Sequence, residues 1–347
     1  MKILIDIGHP AHVHFFKNAI RKLRREGNEV LISARSKDVT KSLLDAFNFD
    51  YRELSAIGSG WLGPYREFIK REFSLANLIR RFKPDVIAAV GGAFVAPVGR
   101  LTGTPTVVFT DTEHVAIDRL LTYPWATRIC TPRVFKKELG RVQYRYDGFQ
   151  ELAYLHPRYF HPNPDVLTEL GLLPGDRFSV LRFVSWQATH DRGETGLASE
   201  LKRDAVSRLR RYGPVFVTSE APLPLELEAY ALRIAPHRIH DVLAFAGLYL
   251  GEGATMATEA ALLGTPSVYV SSLVGTMGNF QELQKEGLIQ SFRDGKKALD
   301  RSETLLGDQG AKPAWQERSS TLVNRLVDVT EYVCEQVLEV AGAQRPS

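Results

Sequence analysis

The stretch that most constrains the fold reads LYLGEGATMATEAALLGTPSVYV and runs from Leu248 to Val270. Its apolar start and the final run Ser267–Val270 are each predicted to form a buried strand. Between them, two glycines precede Thr255, a residue type that often caps a helix amino end. An alanine- and leucine-rich run then ends at Gly264, with a proline two residues later. The pattern predicts a strand, a glycine loop, a helix opening near Thr255, and a strand.

A glycine loop that leads into a helix can bind an anion. The first N–H groups of the helix and its positive end face the ligand, which is typically a phosphate. Glu259 lies one turn further on, where its carboxylate could accept hydrogen bonds from sugar hydroxyls. The alternative is that Glu259 only complements the helix dipole and the glycines only make a tight turn. Glycine loops are weak motifs, so both interpretations stay open at this stage.

Strand and helix patterns alternate along the whole chain, which is typical of parallel sheets covered by helices. Three prolines in the run HPRYFHPNP after Leu155 mark a linker, and the alternation then starts again. The predicted fold class is α/β, with two doubly wound Rossmann-like domains facing across a cleft. The predicted domains are residues 1–160, residues 161–312, and a C-terminal segment, 313–347. This last segment is predicted to pack back on the N-terminal domain, with one long helix from Ala314 to Val340.

Charge and composition limit the partners. A net charge of +4 on 347 residues, with scattered Lys and Arg, argues against nucleic acid but not against an anionic ligand. Two cysteines give no disulfide framework, so we expect a cytoplasmic protein. The opening apolar run is too short for a signal peptide, and the longest one, Val86–Val98, is too short to span a membrane.

An aromatic and basic segment could make peripheral contact with the inner face of a membrane. Trp61, Leu62, Tyr65 and Phe68 are interleaved with basic residues, which are Arg66, Lys70 and Arg71. Such a mixture suits an anionic bilayer surface and a lipid-linked substrate. The alternative is a helix that packs its aromatic face inward.

The first strand ends at Gly8, and three histidines follow within six residues. His9 and His12 share a side if a helix begins at Pro10. The positive helix end favours neutral imidazole, the form that a general base needs. A metal site is disfavoured because His14 should point away from His12. The remaining alternative is that these histidines only hydrogen-bond to the loop backbone.

Asp111 and Glu113 follow the fifth predicted strand, so both should lie at the carboxyl end of the sheet. Either could act as a base or hold substrate hydroxyls. The alternative for Asp111 is to cap the helix that follows. In the C-terminal half, Arg182 and Ser185 end a strand and could contact phosphate, unless they belong to an ordinary surface loop.

Several motifs together resemble a known superfamily. The runs HDVLAFA from His240, GEGATM from Gly251 and EAALLGTP from Glu259 resemble the donor-nucleotide signature of GT-B glycosyltransferases. With GHPAHVHFFK from Gly8 and DTEH from Asp111, the chain resembles an uncharacterised, mainly archaeal, domain-of-unknown-function family of that superfamily. That family is related to UDP-N-acetylglucosamine 2-epimerase and to the lipid-linked N-acetylglucosaminyltransferase of peptidoglycan synthesis.

The resemblance implies a set of binding residues. The residues implied to contact the diphosphate are Gly253, Ala254, Thr255 and Met256. Glu259 is implied to bind the ribose, and Gln281 the donor sugar. The base is implied to lie against the backbone of Asp241, Val242 and Leu243. His12 matches a histidine on the acceptor side. The run Ile117–Arg119 lacks the glutamate that epimerases carry there, which favours a transferase.

We therefore expect a metal-independent glycosyltransferase that uses a UDP-sugar or related nucleotide sugar. The nucleotide sugar is a substrate, and no cofactor is expected. The acceptor is not identified by the sequence and could be lipid-linked. A nucleotide-sugar 2-epimerase and a non-catalytic nucleotide-sugar-binding protein are the alternatives. His12, Asp111 and Glu113 are the candidate catalytic residues.

Overall fold

The computed structural model describes residues 1–36, 38–56, 63–113, 118–184, 197–272 and 274–343. The chain forms two compact units. Unit 1 comprises Met1–Tyr159 together with the chain from Val327 onward, and unit 2 comprises Phe160–Leu326. Among the helices in these ranges, none is long and apolar enough to cross a membrane.

Unit 1 is built on a parallel sheet, which has seven strands within the described residues. The strands are β1 Lys2–Ile7, β2 Glu29–Ser36, β3 Arg52–Ala56, β4 Val86–Val90, β5 Thr106–Phe109, β6 Arg128–Pro132 and β7 Gln143–Tyr146. The helices before the linker are α1 Pro10–Arg25, α2 Asp38–Ala46, α3 Gly63–Phe82, α4 Val95–Thr102, α5 Asp118–Leu121 and α6 Leu152–Leu155. Strand order is β3-β2-β1-β4-β5-β6-β7.

Unit 2 repeats this plan with a parallel sheet of five strands among its described residues. The strands are β8 Ser179–Phe183, β9 Val215–Ser219, β10 Leu248–Gly251, β11 Ser267–Val270 and β12 Ile289–Phe292. The helices are α7 Asp165–Glu169, α8 Ser199–Leu209, α9 Ile239–Phe245, α10 Ala254–Leu262, α11 Gly278–Lys285, α12 Gly295–Gly307 and α13 Ala311–Arg325. Strand order is β12-β11-β10-β8-β9.

Each sheet has a point where the strand order reverses direction. In unit 1 it lies between β1 and β4, and in unit 2 between β8 and β10. Ligands of doubly wound sheets bind beyond the carboxyl ends of the strands at this point, because the connecting helices leave on opposite faces there. Gly8 follows β1, and Arg182 and Gly251 lie at the ends of β8 and β10. The fold therefore places predicted site residues of both units at such positions.

The cores form because the central strands are continuous apolar runs. Ile3, Leu4 and Ile5 of β1 are at most 1% exposed, as expected for a strand that is buried on both faces. The strands β7 (QYRY) and β12 (IQSF) were not predicted, since each is only four residues long and neither is a continuous apolar run.

The C-terminal segment is two helices rather than the single predicted one. α13 ends at Arg325, and the final helix, α14 Val329–Gly342, belongs to unit 1. The chain is extended at Leu326, and the Asp328 side chain caps α14 by accepting from the Glu331 N–H. In α14, Thr330 Oγ1 donates to the Ala153 carbonyl at 2.7 Å, which fixes the helix to unit 1.

Candidate functional site

The amino end of α10 has backbone N–H groups without a side-chain cap. The N-cap is Gly253, with extended backbone angles (φ −85°, ψ 114°), and the helix begins at Ala254. The helix opens near Thr255, as predicted, but Thr255 lies in its first turn rather than at the cap and is exposed. A glycine cap has no side chain to accept from these N–H groups, so they are available to a ligand.

The glycines of this loop allow the backbone to pass close to two side chains. A Cβ atom on Gly251 would lie 2.5 Å from Tyr249 Oη and 2.8 Å from Arg182 Cβ. A Cβ atom on Gly253 would lie 3.1 Å from Arg182 Cγ. Arg182 is therefore next to the start of α10, as a phosphate-binding role requires. Its guanidinium donates to Thr218 Oγ1 at 2.7 Å and to Glu220 Oε1 at 2.8 Å.

Glu252, between the two glycines, is a positioning residue that the sequence did not reveal. Its buried carboxylate accepts from the backbone N–H of Val184 at 2.9 Å and of Leu197 at 2.5 Å. Lys202 Nζ lies 3.4 Å away. These bonds tie the glycine loop to the end of β8 and to the chain before α8. Ser185 lies outside the described residues.

Glu259 is in the interior of unit 2 and is paired there. Its Oε1 is 3.0 Å from His240 Nε2, and both side chains are less than one tenth exposed. The two residues are 19 apart in the sequence, so local sequence patterns could not predict this pair. A role at the ribose would therefore use a carboxylate that already has a histidine partner.

The other predicted base- and sugar-binding residues have internal partners. The Asp241 carboxylate accepts from the Asn163 N–H at 2.8 Å and pairs with Arg238 at 2.7 Å. Val242 and Leu243 are fully buried in α9. The Leu243 carbonyl accepts from Thr265 Oγ1 at 2.6 Å. Gln281 is exposed on α11 and donates to the Gly275 carbonyl at 3.1 Å.

In unit 1, two histidines hydrogen-bond to the backbone around the start of α1. His9 is the N-cap, and its Nδ1 accepts from the Ala11 N–H at 3.2 Å. His12 Nδ1 accepts from the Gly8 N–H at 3.2 Å. The two rings lie 5.8 Å apart between centroids. His14 is buried against Phe47 and Tyr154, away from a ligand-binding role.

A buried ion pair lies beside the loop at Gly8. Arg71 Nη2 is 2.7 Å from Asp6 Oδ2, and the side chains are 2% and 5% exposed. Asp6 Oδ1 accepts from Ser33 Oγ at 2.7 Å, and the Arg71 guanidinium lies 4.2 Å from the Phe94 ring centroid. Sequence analysis counted Arg71 among the basic residues that could touch a membrane, with an inward-packing helix as the alternative; the buried ion pair removes Arg71 from any such surface. The missed signal was Asp6 itself, because a carboxylate inside an apolar strand needs a buried partner.

Asp111 is a half-buried carboxylate after β5. Its pKa is raised from the usual 3.8 to about 6, mainly by burial and also by the Glu113 carboxylate, whereas a 3.1 Å hydrogen bond from Thr112 opposes the rise. The Gln150 amide oxygen, turned toward β5, accepts from the Asp111 N–H at 3.2 Å and so fixes this backbone. Glu113 is buried, and its Oε1 accepts from the Lys136 N–H at 3.3 Å.

The fold brings the unit 1 candidates to one edge of the sheet. β1 and β5 are separated by β4 alone, so their carboxyl ends lie about 10 Å apart. Phe15 and Phe16 of α1 contact Phe109 at the end of β5, with ring centroids 5.2 and 6.0 Å apart. Within the described residues, no group of three His, Cys, Asp or Glu side chains is arranged to hold a metal ion.

Two curated proteins are similar to this chain. An uncharacterized protein of Methanocaldococcus jannaschii, MJ0665, is 25% identical over 320 residues, covering 88% of this chain and 92% of its own. A UDP-N-acetylglucosamine–N-acetylmuramyl-(pentapeptide) pyrophosphoryl-undecaprenol N-acetylglucosamine transferase of Halothermothrix orenii is 24% identical over 340 residues, covering 87% and 89%.

Among solved structures, UDP-GlcNAc 2-epimerase from Neisseria meningitidis bound to UDP-GlcNAc is similar, with a TM-score of 0.68 and 11% identity. The match covers 98% of this chain and 100% of that one. It shows the shared GT-B fold of two Rossmann-like domains. The family model described as "Protein of unknown function (DUF354)" matches residues 1–291, and this chain therefore belongs to that family.

Proposed function

We propose that this protein is a glycosyltransferase that takes a sugar from a nucleotide-diphosphate sugar, with a UDP-sugar as the donor. The observation that carries the proposal is the amino end of α10, which opens at the glycine cap Gly253 beside Arg182. The names of the relatives agree with this donor class, since they include an N-acetylglucosamine transferase and a protein bound to UDP-GlcNAc.

The donor diphosphate is assigned to the first turn of α10. The N–H groups of Ala254, Thr255 and Met256 donate to its oxygens, and the helix dipole adds roughly half a positive charge. The Arg182 guanidinium, which is also paired with the Glu220 carboxylate, adds positive charge next to Gly253. Both charges stabilise the diphosphate as its negative charge grows during bond cleavage, which is where electrostatic catalysis acts.

Asp111 is the proposed general base. A base works best when its pKa lies near the working pH, and burial brings the pKa of Asp111 to about 6. In the reaction, Asp111 takes the proton from an acceptor hydroxyl. That oxygen forms a bond to the anomeric carbon as the bond from this carbon to the diphosphate oxygen breaks. The nucleoside diphosphate leaves with the electron pair, and the anomeric configuration inverts.

Calorimetric titration with UDP tests the donor assignment. The variant Gly253→Val crowds Arg182 and the helix start, and Arg182→Gln removes the charge, so each should weaken UDP binding about tenfold or more. Glu317→Gln, on the exposed face of α13, is the matched control and should bind UDP like the wild type. Unchanged affinity in Gly253→Val and Arg182→Gln would refute the donor site.

A nucleotide-sugar 2-epimerase is the second candidate, favoured by the whole-chain similarity to an epimerase structure. Incubation with UDP-GlcNAc and no acceptor separates the two, because an epimerase needs no acceptor. Formation of the 2-epimer would replace the transferase proposal. Tight UDP binding without turnover on any acceptor pool would instead indicate a binding protein.

The finer proposal for the acceptor is a lipid-linked molecule at a membrane surface. On α3, Lys70, Phe73, Asn77 and Arg80 are exposed at helical spacing, and the Phe73 side chain is 69% exposed. A phenylalanine among basic residues suits an anionic bilayer. The wild type should co-sediment with vesicles that contain phosphatidylglycerol, and the Phe73→Ser variant should stay in the supernatant. Equal recovery of both in the supernatant would end this proposal.

A further inference from the structure

The hydroxyl of Tyr146 is a buried polar group in unit 1 that the proposed reaction has not yet used. Tyr146 is the last residue of β7, and its side chain is buried. Its Oη makes no hydrogen bond to any of the residues that the structure describes. A buried hydroxyl without a partner is destabilising, so its presence in a packed sheet calls for an explanation.

The register of the sheet places Tyr146 level with Asp111. Phe109 is paired with Cys130, and Pro132 with Tyr146. Asp111 and Pro132 each lie two residues further along their chains, so Asp111, Pro132 and Tyr146 occupy one row across β5, β6 and β7. Because side chains alternate between the two faces of a sheet, Asp111 should lie on the same face as Phe109, and Tyr146 should share that face.

Helices α1 and α14, which pack on each other, cover this face. The Phe109 ring contacts Phe15 of α1, with centroids 5.2 Å apart. The Tyr146 ring contacts Tyr332 of α14, with centroids 4.9 Å apart. The phenol and the Asp111 carboxylate are therefore on the same, helix-covered side of the sheet.

The charged groups that face the Tyr146 hydroxyl are carboxylates. Burial, followed by the carboxylates of Asp111 and Glu151, holds the pKa of the Tyr146 phenol well above its usual value of 10. Cys130 and Tyr332 also face this hydroxyl, and burial raises the pKa of each, so both are neutral near pH 7. Tyr146 therefore keeps its proton while Asp111 titrates, and toward an ionised carboxylate it can act only as a donor.

We propose that Tyr146 is a positioning residue for Asp111: its hydroxyl donates to the Asp111 carboxylate as that group ionises and holds it at the end of β5. The inference rests on the proposed function, in which Asp111 takes the acceptor proton. Thr112 Oγ1 already donates to Asp111 Oδ1 at 3.1 Å. Tyr146 supplies a second donor, and an O–H bond to an ionised carboxylate is short and strong. Two donors fix the orientation of the carboxylate, whereas one lets it rotate.

The titration of Asp111 tests this contact without any substrate. Tyr146→Phe removes the hydroxyl and keeps the ring against Tyr332. A donor to the ionised form favours ionisation, so its loss should raise the apparent pKa of Asp111 by about one pH unit. The measurement is the side-chain ¹³C shift of Asp111 in the whole chain, assigned with Asp111→Asn. Tyr332→Phe is the matched control, because it removes the neighbouring buried phenol hydroxyl and should leave this titration unchanged.

Two outcomes would overturn the proposal. One is an Asp111 titration that Tyr146→Phe leaves unchanged, and the other is a Glu151 titration that moves in its place. 3-Fluorotyrosine at position 146 keeps the packing and is a stronger donor, so it should lower the apparent pKa of Asp111. This opposite shift keeps the test decisive even if Tyr146→Phe folds poorly.

Kinetics separate the contact from the proposed function. Once turnover is in hand, the acid limb of the pH–rate profile should move up in Tyr146→Phe by the same amount as the titration, and Tyr332→Phe should keep the limb of the wild type. A titration that shifts while the limb stays in place would refute Asp111 as the base and leave the contact standing. UDP calorimetry tests the donor site separately.

Discussion

Replacing Asp111 by asparagine should stabilise the protein and, if Asp111 is the proposed general base, slow turnover. Burial raises the pKa of Asp111 from the usual 3.8 to about 6, so the folded chain holds this proton more tightly than the unfolded chain does. The contribution of the group to the free energy of unfolding therefore falls as the pH rises from about 4 to about 6. Above pH 6 the folded protein bears the full cost of an ionised, half-buried carboxylate.

The size of this cost follows from the pKa displacement. One pKa unit corresponds to about 1.4 kcal/mol, so a rise from 3.8 to about 6 amounts to about 3 kcal/mol. This is an upper bound because part of the side chain remains exposed. We expect Asp111→Asn to raise the free energy of unfolding by about 1–3 kcal/mol at pH 8 and by about half as much at pH 5. The amide still accepts the hydrogen bond from Thr112.

Urea unfolding at both pH values measures the gain, with separate fits if the two units unfold in two transitions. Asp50→Asn is the control, because that carboxylate is exposed and its loss should change stability little at either pH. If Asp111 is the base of the proposed transferase, the same variant should lose about 10²–10⁴-fold in transfer rate. A variant that is no more stable than the wild type at pH 8 would refute the argument from burial.

Three further substitutions test other parts of the structure. Arg71→Met leaves the buried Asp6 without its cation and should lower the free energy of unfolding by about 3–5 kcal/mol, with most of the loss recovered when Asp6→Asn is added. No recovery in urea unfolding of the double variant would count against the pair. Gly251→Ala places a Cβ atom 2.5 Å from Tyr249 Oη and should destabilise the protein by about 1–3 kcal/mol and weaken UDP binding, measured by denaturation and calorimetry. Burial lowers the pKa of Lys312 to about 7, so stability should rise with pH between about 7 and 10.5, and Lys312→Met should lack this rise in thermal melts at pH 6.5 and 9.5.

Sequence patterns predicted the parts of the fold that depend on local periodicity. The fold class was confirmed, and β10, α10 and β11 follow in the predicted order. The helix after Gly251 begins at a glycine cap rather than at Thr255. Residue preferences favour threonine at that position, but the backbone conformation at Gly253 already supplies the extended turn that a cap requires.

Long-range pairs of polar residues could not be predicted in the same way. Asp6 and Arg71 are 65 residues apart, and His240 and Glu259 are 19 apart, so no helical or strand period relates them. Burial gives such pairs their strength, and burial is decided by the packed structure. The start of a separate helix α14 could have been predicted from the sequence, because Asp328 followed three residues later by Glu331 resembles a capping box.

The assignment of α14 to unit 1 makes unit 2 an insertion within unit 1. α14 packs on α1, β4 and β5, and its Val333 and Val337 are each 1% exposed. During synthesis this helix leaves the ribosome long after its partners α1, β4 and β5 have emerged. Unit 2 can fold as soon as Leu326 has emerged. Unit 1 still lacks α14 at that point, so the apolar side of α1 that α14 covers is exposed. A nascent chain stalled before residue 329 should therefore expose that side to chaperones, and protection of α1 against proteolysis should begin only after α14 has emerged.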